Sequence, residues 1–354
     1  MSRGYLVRLR PTGPWRIGPD SGARNRVDRL YHSDSLYAAV CWAMRHLGCL
    51  EPWLAATAAA DAAPEVRFSS AFPFLNGTLF VEPPKSHWPP PPSSKVRWKG
   101  ARFVPLALVE QLLAEQQLGE EGWTVDGESQ CLLPASNSPA GGPFRAAVRA
   151  GAAVDRLSPG HVEPHETACL EFRHGAGLWC AVAFESPAAE SRWGEPLKAA
   201  FRLLADSGFG GERSRGWGHT AAPEFSEGEL PALLLSACRP APPDQESEAT
   251  PLLETAYWLL GMYSPAPEDA VDWTRGAYAY QVREGRIASP AGCGAAKLAL
   301  RMIAEGSVLF AGSRLRGAAP NVAPEGFPHP VYRYGRPLAV PISVRLPKAT
   351  KVAQ

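Results

Sequence analysis

The sequence has no apolar run approaching the roughly 18 residues of a membrane-spanning helix, and its start, MSRGYLVRLR, lacks the apolar stretch of a signal peptide. It also has no C-x-x-C pair. The seven cysteines, Cys41, Cys49, Cys131, Cys169, Cys180, Cys238 and Cys293, are odd in number, scattered, and not spaced with histidines as metal ligands are. This argues against a zinc site and a disulfide scaffold, and a reduced, cytoplasmic protein with no membrane contact is expected. There is no charge excess either: 36 Lys plus Arg meet 35 Asp plus Glu, for a net charge of +1, so any surface for a polyanion must be local.

Several chemistries lack their motifs. No lysine occurs in the glycine-rich stretch, as the G-x-x-x-x-G-K-[S/T] phosphate loop would need. The H-R-D and D-F-G pair of kinases is missing, as are the paired acidic and glycine motifs of a polymerase-type metal site. No metal and no cofactor are expected.

What is present is enough chain, 354 residues, for two domains that each bury a core. Tyr5, Val7 and Leu9 alternate as a first strand. A Gly- and Arg-rich loop follows, and then Leu36, Ala39, Val40, Ala43, Met44 and Leu47 fall at helical spacing, with Ser33 or Asp34 as cap and Gly48 as stop. The run PPKSHWPPPPSSK, residues 83–95, predicts an exposed extended loop, because proline lacks the amide donor. A second excursion, about 134–165, carries Arg145, Arg149 and Arg156.

Thr167–Phe172 and Gly177–Phe184 read as a hairpin turning at His174 and Gly175. Leu197, Ala200, Phe201 and Leu204 give a second helix, which runs into SGFGGERSRGWG, residues 207–218. Strand, helix, strands, helix is the order of a ferredoxin-like unit, assigned here to residues 1–226. A second, more irregular unit of that class is expected over 227–354, with strands at Leu233–Ala237, Ala277–Arg283, Ser307–Phe310 and Leu338–Leu346 and a short helix at Tyr257–Gly261. The fold class is therefore α+β: tandem ferredoxin-like, RRM-like domains with long inserted loops.

The strongest chemical signal is the stretch Gly208, Phe209, Gly210, Gly211, Arg213, Ser214, Arg215 and Gly216, with Gly218 beyond. It places five glycines in the eleven positions 208–218. Glycine permits positive φ and close approach, so successive amides can turn toward an anion while arginine and serine add donors. A plain turn between helix and strand is the competing reading. The dinucleotide fingerprint would follow a strand, whereas this loop follows a helix.

At this loop the sequence resembles the repeat-associated mysterious proteins (RAMPs) of CRISPR systems, marked by a glycine-rich loop after a helix. YHSDSLYAAV (31–40), SSAFPFLNGTLFVEPPK (69–85), AAVDRLSPG (152–160) and HPVYRYGRPL (329–338) are similar to further family motifs, in family order across nearly the whole chain. Within the RAMPs the resemblance is to the fourth-subunit family of type III-A (Csm) effectors. It implies a non-catalytic subunit that caps the 5′ repeat-derived handle of the guide RNA. The implied partners are the large polymerase-cyclase subunit, the first backbone RAMP subunit (Csm subunit 3), and target RNA near a thumb hairpin around 145–165.

It further implies handle phosphates on the 208–218 loop, with Arg24, Arg26, Arg29, His32 and Ser33 close to the same RNA. A solvated charged loop is an equal reading of those three arginines. The RNA-stacking strand of an ordinary RNA-recognition motif is missing, so recognition would run through loops. Two alternatives stay open: a guide-processing endoribonuclease using His32 as general acid or base, and a handle-binding RAMP of another type III subtype. Asp34 reads as a helix cap, not a catalytic carboxylate.

Overall fold

The computed structural model describes residues 2–19, 21–59, 63–90, 98–119, 121–136, 141–155, 157, 160, 162–235, 253–289 and 291–345. The first unit runs β1 (Ser2–Leu9), α1 (Ser33–His46), α2 (Leu50–Thr57), β2 (Val66–Phe68), β3 (Phe72–Leu75), β4 (Thr78–Val81), β5 (Val104–Pro105), α3 (Leu106–Leu113), β6 (Trp123–Val125) and β7 (Leu132–Pro134). It continues with β8 (Phe144–Val154), β9 (Val162–Phe172), β10 (Ala176–Phe184), α4 (Pro187–Ser207) and β11 (Glu224–Leu230).

Its main sheet has the order β11-β1-β10-β3-β4-β5, and β2 also pairs with β10. Helices follow β1 and β10, β10 lies in the interior of the sheet, and β11 lies beside β1, so this half mixes helices with a largely antiparallel sheet. The sequence AGLWCAVAF explains the place of β10: nine small or apolar residues in a row, all buried, suit a strand covered on both faces. Ser186 caps α4 by accepting the Ala189 amide at 3.1 Å, and Pro187 opens it. Gly48, at φ +75°, follows α1 as the spacing predicts.

The second unit comprises β12 (Leu253–Leu259), β13 (Val271–Ala277), β14 (Tyr280–Arg283), β15 (Arg286–Ser289), β16 (Gly292–Ala296), β17 (Leu300–Ile303), β18 (Val308–Ala311) and β19 (Ala339–Arg345). Its antiparallel sheet has the order β13-β18-β12-β19, with β14–β17 and β15–β16 as separate pairs. No helix occurs among the described residues after 235. The helix expected at Tyr257–Gly261 is instead the end of β12 and its exit. Ala256 and Trp258–Leu260 are buried, and so short an apolar run has no period that separates a helix from a covered strand. Leu233 and Leu234 lie in a turn and Leu235 follows it outside any strand, while Ser236 and Ala237 fall outside the described residues.

Two further expectations change. The residues at 167–172 and 177–184 do turn at His174 and Gly175, but they do not pair: β9 pairs along its length with β8, and β10 with β1, β2 and β3. The excursion at 134–165 is mostly this β8–β9 hairpin. Its two strands are exposed on both faces over much of their length, which removes the apolar alternation that would have announced them. Residues 83–90 are irregular as expected, but Pro83 and Pro84 are buried and Ser86 alone among them is exposed, so the expected exposure is corrected there; 91–97 lie outside the described residues.

Candidate nucleic-acid interface

The glycine loop is folded tightly onto the protein. Gly208, Gly210, Gly216 and Gly218 all have φ between +71° and +94°. A Cβ at Gly210 would stand 2.6 Å from the Arg16 carbonyl oxygen, and one at Gly208 would stand 2.6 Å from that of Trp217. The amides of Phe209, Gly211, Arg215, Gly216, Trp217 and Gly218 donate to the carbonyls of Gly218, Arg16, Glu212, Arg213, Glu212 and Pro14. These amides therefore close the loop, and the expected amide cradle is corrected for those positions: protein carbonyls already hold the donors.

Phe209 is corrected too, because its buried ring meets Trp15 at 4.5 Å and Tyr31 at 5.4 Å, edge to face. What the loop offers outward is one 3₁₀ turn, Arg213, Ser214 and Arg215, set between left-handed Glu212 and Gly216 and exposed at all three side chains.

The Gly- and Arg-rich loop after β1 is held from inside by Arg16. Its buried guanidinium donates from Nη1 to the carbonyls of Arg24 at 2.9 Å, Arg26 at 3.1 Å and Ala168 at 2.7 Å, and from Nη2 to Ala23 at 3.0 Å. A lone arginine in a loop gives no sequence signal for this role. The clamp fixes Arg24 against β9 of the hairpin, where the Ala168 amide donates to the Arg24 carbonyl at 2.8 Å. There Arg24, Glu163, His165 and Arg215 line a cleft of ≈ 380 Å³. Arg215 donates to His165 Nε2 at 2.8 Å and pairs with Glu212 at 3.2 Å.

Arg26 is exposed, and Arg29 turns aside to the Glu128 carbonyl at 2.7 Å. On the hairpin, Arg145 reaches Glu171 directly across the ladder at 2.9 Å, and Arg149 shares the same carboxylate. Exposed pairs of this kind contribute little and exchange readily for a phosphate. Arg156 lies outside the described residues.

His32 and Ser33 are not on this surface. His32 is 1 % exposed and Ser33 is fully buried, so the reading of both as RNA contacts is corrected. His32 Nδ1 meets Glu305 at 2.9 Å and Nε2 meets Asp28 at 3.3 Å. Burial works against a charged ring here, but the Glu305 carboxylate outweighs it and His32 is raised to about 9. Ser33 accepts the Met262 amide at 2.9 Å.

Asp34 makes no cap: the residue before α1 is His32, and no side chain caps that end. The carboxylate instead takes Arg283 at 3.0 and 3.1 Å and Arg333 at 2.6 Å, both from the second unit. Despite burial, these guanidiniums hold Asp34 far below the usual carboxylate range. The three motif residues thus join the units. Among the described residues no group of three His, Cys, Asp or Glu side chains could hold a metal ion, and no helix is long and apolar enough to cross a membrane.

Residues 254–342 match the family model described as the CRISPR Csm4 C-terminal domain. No curated protein matches the sequence. A chain of the Csm3-Csm4 subcomplex in the type III-A CRISPR-Cas interference complex is similar in structure, with a TM-score of 0.60 at 14% identity, over 96% of this chain and 99% of that one. A chain of the Csm1-Csm4 cassette in complex with cA4 gives a TM-score of 0.53 at 17% identity, over 98% and 99%. At such identities the structural likeness speaks for the fold. The chain thus matches the Csm4 C-terminal domain over residues 254–342 and shares its fold along nearly its whole length with a chain from each of these two assemblies.

Proposed function

We propose that this chain is the non-catalytic RNA-binding subunit that holds the 5′ repeat-derived handle of the guide RNA in a cytoplasmic type III-A complex. In that role it joins a Csm1-type polymerase-cyclase subunit to a Csm3-type backbone subunit, and its β8–β9 hairpin meets target RNA. The observation that carries the reading is the cleft where Arg24 from the first loop and Arg215 from the glycine loop converge on the outer part of that hairpin, close to its turn. Two cations brought together from opposite ends of a unit, with Arg213 and Ser214 exposed alongside, form a local basic track on a nearly neutral protein. The fold is read as a tandem ferredoxin-like RAMP fold, supported in the first unit by its strand order. In the second unit the sheet carries the reading without helices among the described residues.

The endonuclease alternative loses its general acid, since His32 is closed off between two carboxylates. The test is binding of handle RNA by the whole chain across a salt series. With Arg213→Ala and Arg215→Ala combined, affinity is expected to fall, and the log-log salt slope to shrink by about 0.7 for each single-strand phosphate that the protein no longer neutralises. An unchanged slope removes the loop from the interface. The wild-type chain is expected to leave the RNA uncut.

A further inference from the structure

A groove of ≈ 480 Å³ opens between α1, the start of α2, the β15–β16 hairpin and residues 329–332. Arg45, Lys297 and His329 line it, and Glu51 is the single acid among its described lining residues. Lys297 is half-buried, and its ammonium has no hydrogen bond or ion pair among the described residues. Burial, together with the nearby Arg333 and Arg283 guanidiniums, pulls it down to about 8. Behind it Asp34 is already held by both those arginines, and Arg333 Nε is buried with no acceptor. Lys297 therefore lies beside a carboxylate that two guanidiniums already hold. Keeping an unpaired ammonium in such a place costs stability unless an anion completes it.

Trp42 ties the groove to the RNA cleft. Arg213 of the glycine loop lies 5.1 Å from the centre of its ring, and Trp42 is also a groove wall. Tyr332 lines the groove too and has no aromatic partner among the described residues. A compact anion site beside a half-buried aromatic ring, continuous with a basic loop, suits a nucleotide better than an acidic peptide.

We propose that this groove takes one nucleotide of the bound RNA strand, with its phosphate at Lys297 and Arg45 and its base against Tyr332. The inference rests on the RNA-binding reading above, and its test separates the two. Lysines of the whole chain are acetylated with a limiting reagent, and Lys297 modification is read by mass spectrometry. The chain is taken alone, with single-stranded handle RNA, with adenosine 5′-monophosphate, and with polyglutamate. RNA is expected to slow Lys297 acetylation at least fivefold, the mononucleotide to do so at higher concentration, and polyglutamate to leave it unchanged. Lys297→Met is expected to weaken RNA binding several-fold, with Lys297→Arg restoring most of it.

If RNA binds in a manner sensitive to Arg213→Ala and Arg215→Ala yet leaves Lys297 equally reactive, the groove assignment fails while the RNA-binding reading stands. If RNA does not bind the wild-type chain, both fall. Protection by polyglutamate in place of RNA would reassign the groove to an acidic protein segment and overturn the proposal.

Discussion

A methyl group at Gly218 would overlap the Phe209 carbonyl oxygen, in a residue whose φ is +83°. At Gly216, with φ +76°, the same methyl meets nothing within 4 Å. Gly216→Ala is therefore expected to cost only the left-handed strain, roughly 1–2 kcal/mol. Gly218→Ala should exceed it clearly, because the overlap is with backbone that cannot move aside. Urea unfolding of the two variants checks this, and equal midpoints would contradict it. The pair also separates what was legible in the loop from what was not. Glycine density announces positive φ, but it does not say whether the freed space goes to a ligand or to the chain itself. At Gly208, Gly210 and Gly218 it goes to the chain, and the exposed donors are the side chains of Arg213, Ser214 and Arg215.

At the scale of elements, the start of α1 is bound to the turn before β18 by charge. Protonated His32 sits between Asp28, which also pairs with Arg102 at 3.2 Å, and Glu305, which also accepts the Ser70 hydroxyl. His32 is raised from 6.5 to about 9 in the folded state, so its contribution is complete below about pH 6.5 and is lost as pH rises through 9. Lys297 works in the opposite direction. Held near 8 instead of 10.5, it favours the folded state increasingly as pH climbs past 8.

With Lys297→Met removing that opposing slope, and below the range where the thiols of Cys41, Cys131 and Cys180, pushed up by burial, add a fall of the same sign, stability in thermal unfolding should drop by on the order of 1–2 kcal/mol between pH 6 and pH 8. A flat profile would show that His32 is neutral in the fold. Helical spacing made α1 itself readable, but its partners were not. A buried carboxylate at a helix start looks the same in sequence whether it caps the helix or, as Asp34 does, anchors arginines nearly 250 and 300 positions away.

Across the whole molecule, those long separations carry the connection between the two sheets. The segments H-S-D (32–34), S-S-A-F-P-F (69–74) and V-Y-R-Y-G (331–335) stand far apart in the chain, and local patterning gives no sign that they meet. In the fold Tyr334 stacks on Tyr37 with ring centres 4.1 Å apart and donates to the Val66 carbonyl at 2.6 Å. The Ser70 amide donates to the Leu260 carbonyl at 2.7 Å, and the Leu338 amide to that of Phe68 at 3.1 Å. Trp258, Tyr334, Leu338 and Ile342 belong to the same buried cluster as Tyr37, Trp53 and Phe68. The second sheet has only a small cluster of its own, around Leu259, Tyr263, Ile303, Leu309 and Leu315. Two sheets that share one core cannot lose it separately. The chain is therefore expected to unfold in a single transition, with calorimetric and van't Hoff enthalpies equal, although 354 residues would ordinarily suggest two. Residues 253–345 expressed alone should lack a cooperative transition, because Trp258, Tyr334 and Ile342 would face water where they now face the first unit. Two resolved calorimetric peaks, or a cooperatively folded fragment, would show that the cores are independent after all.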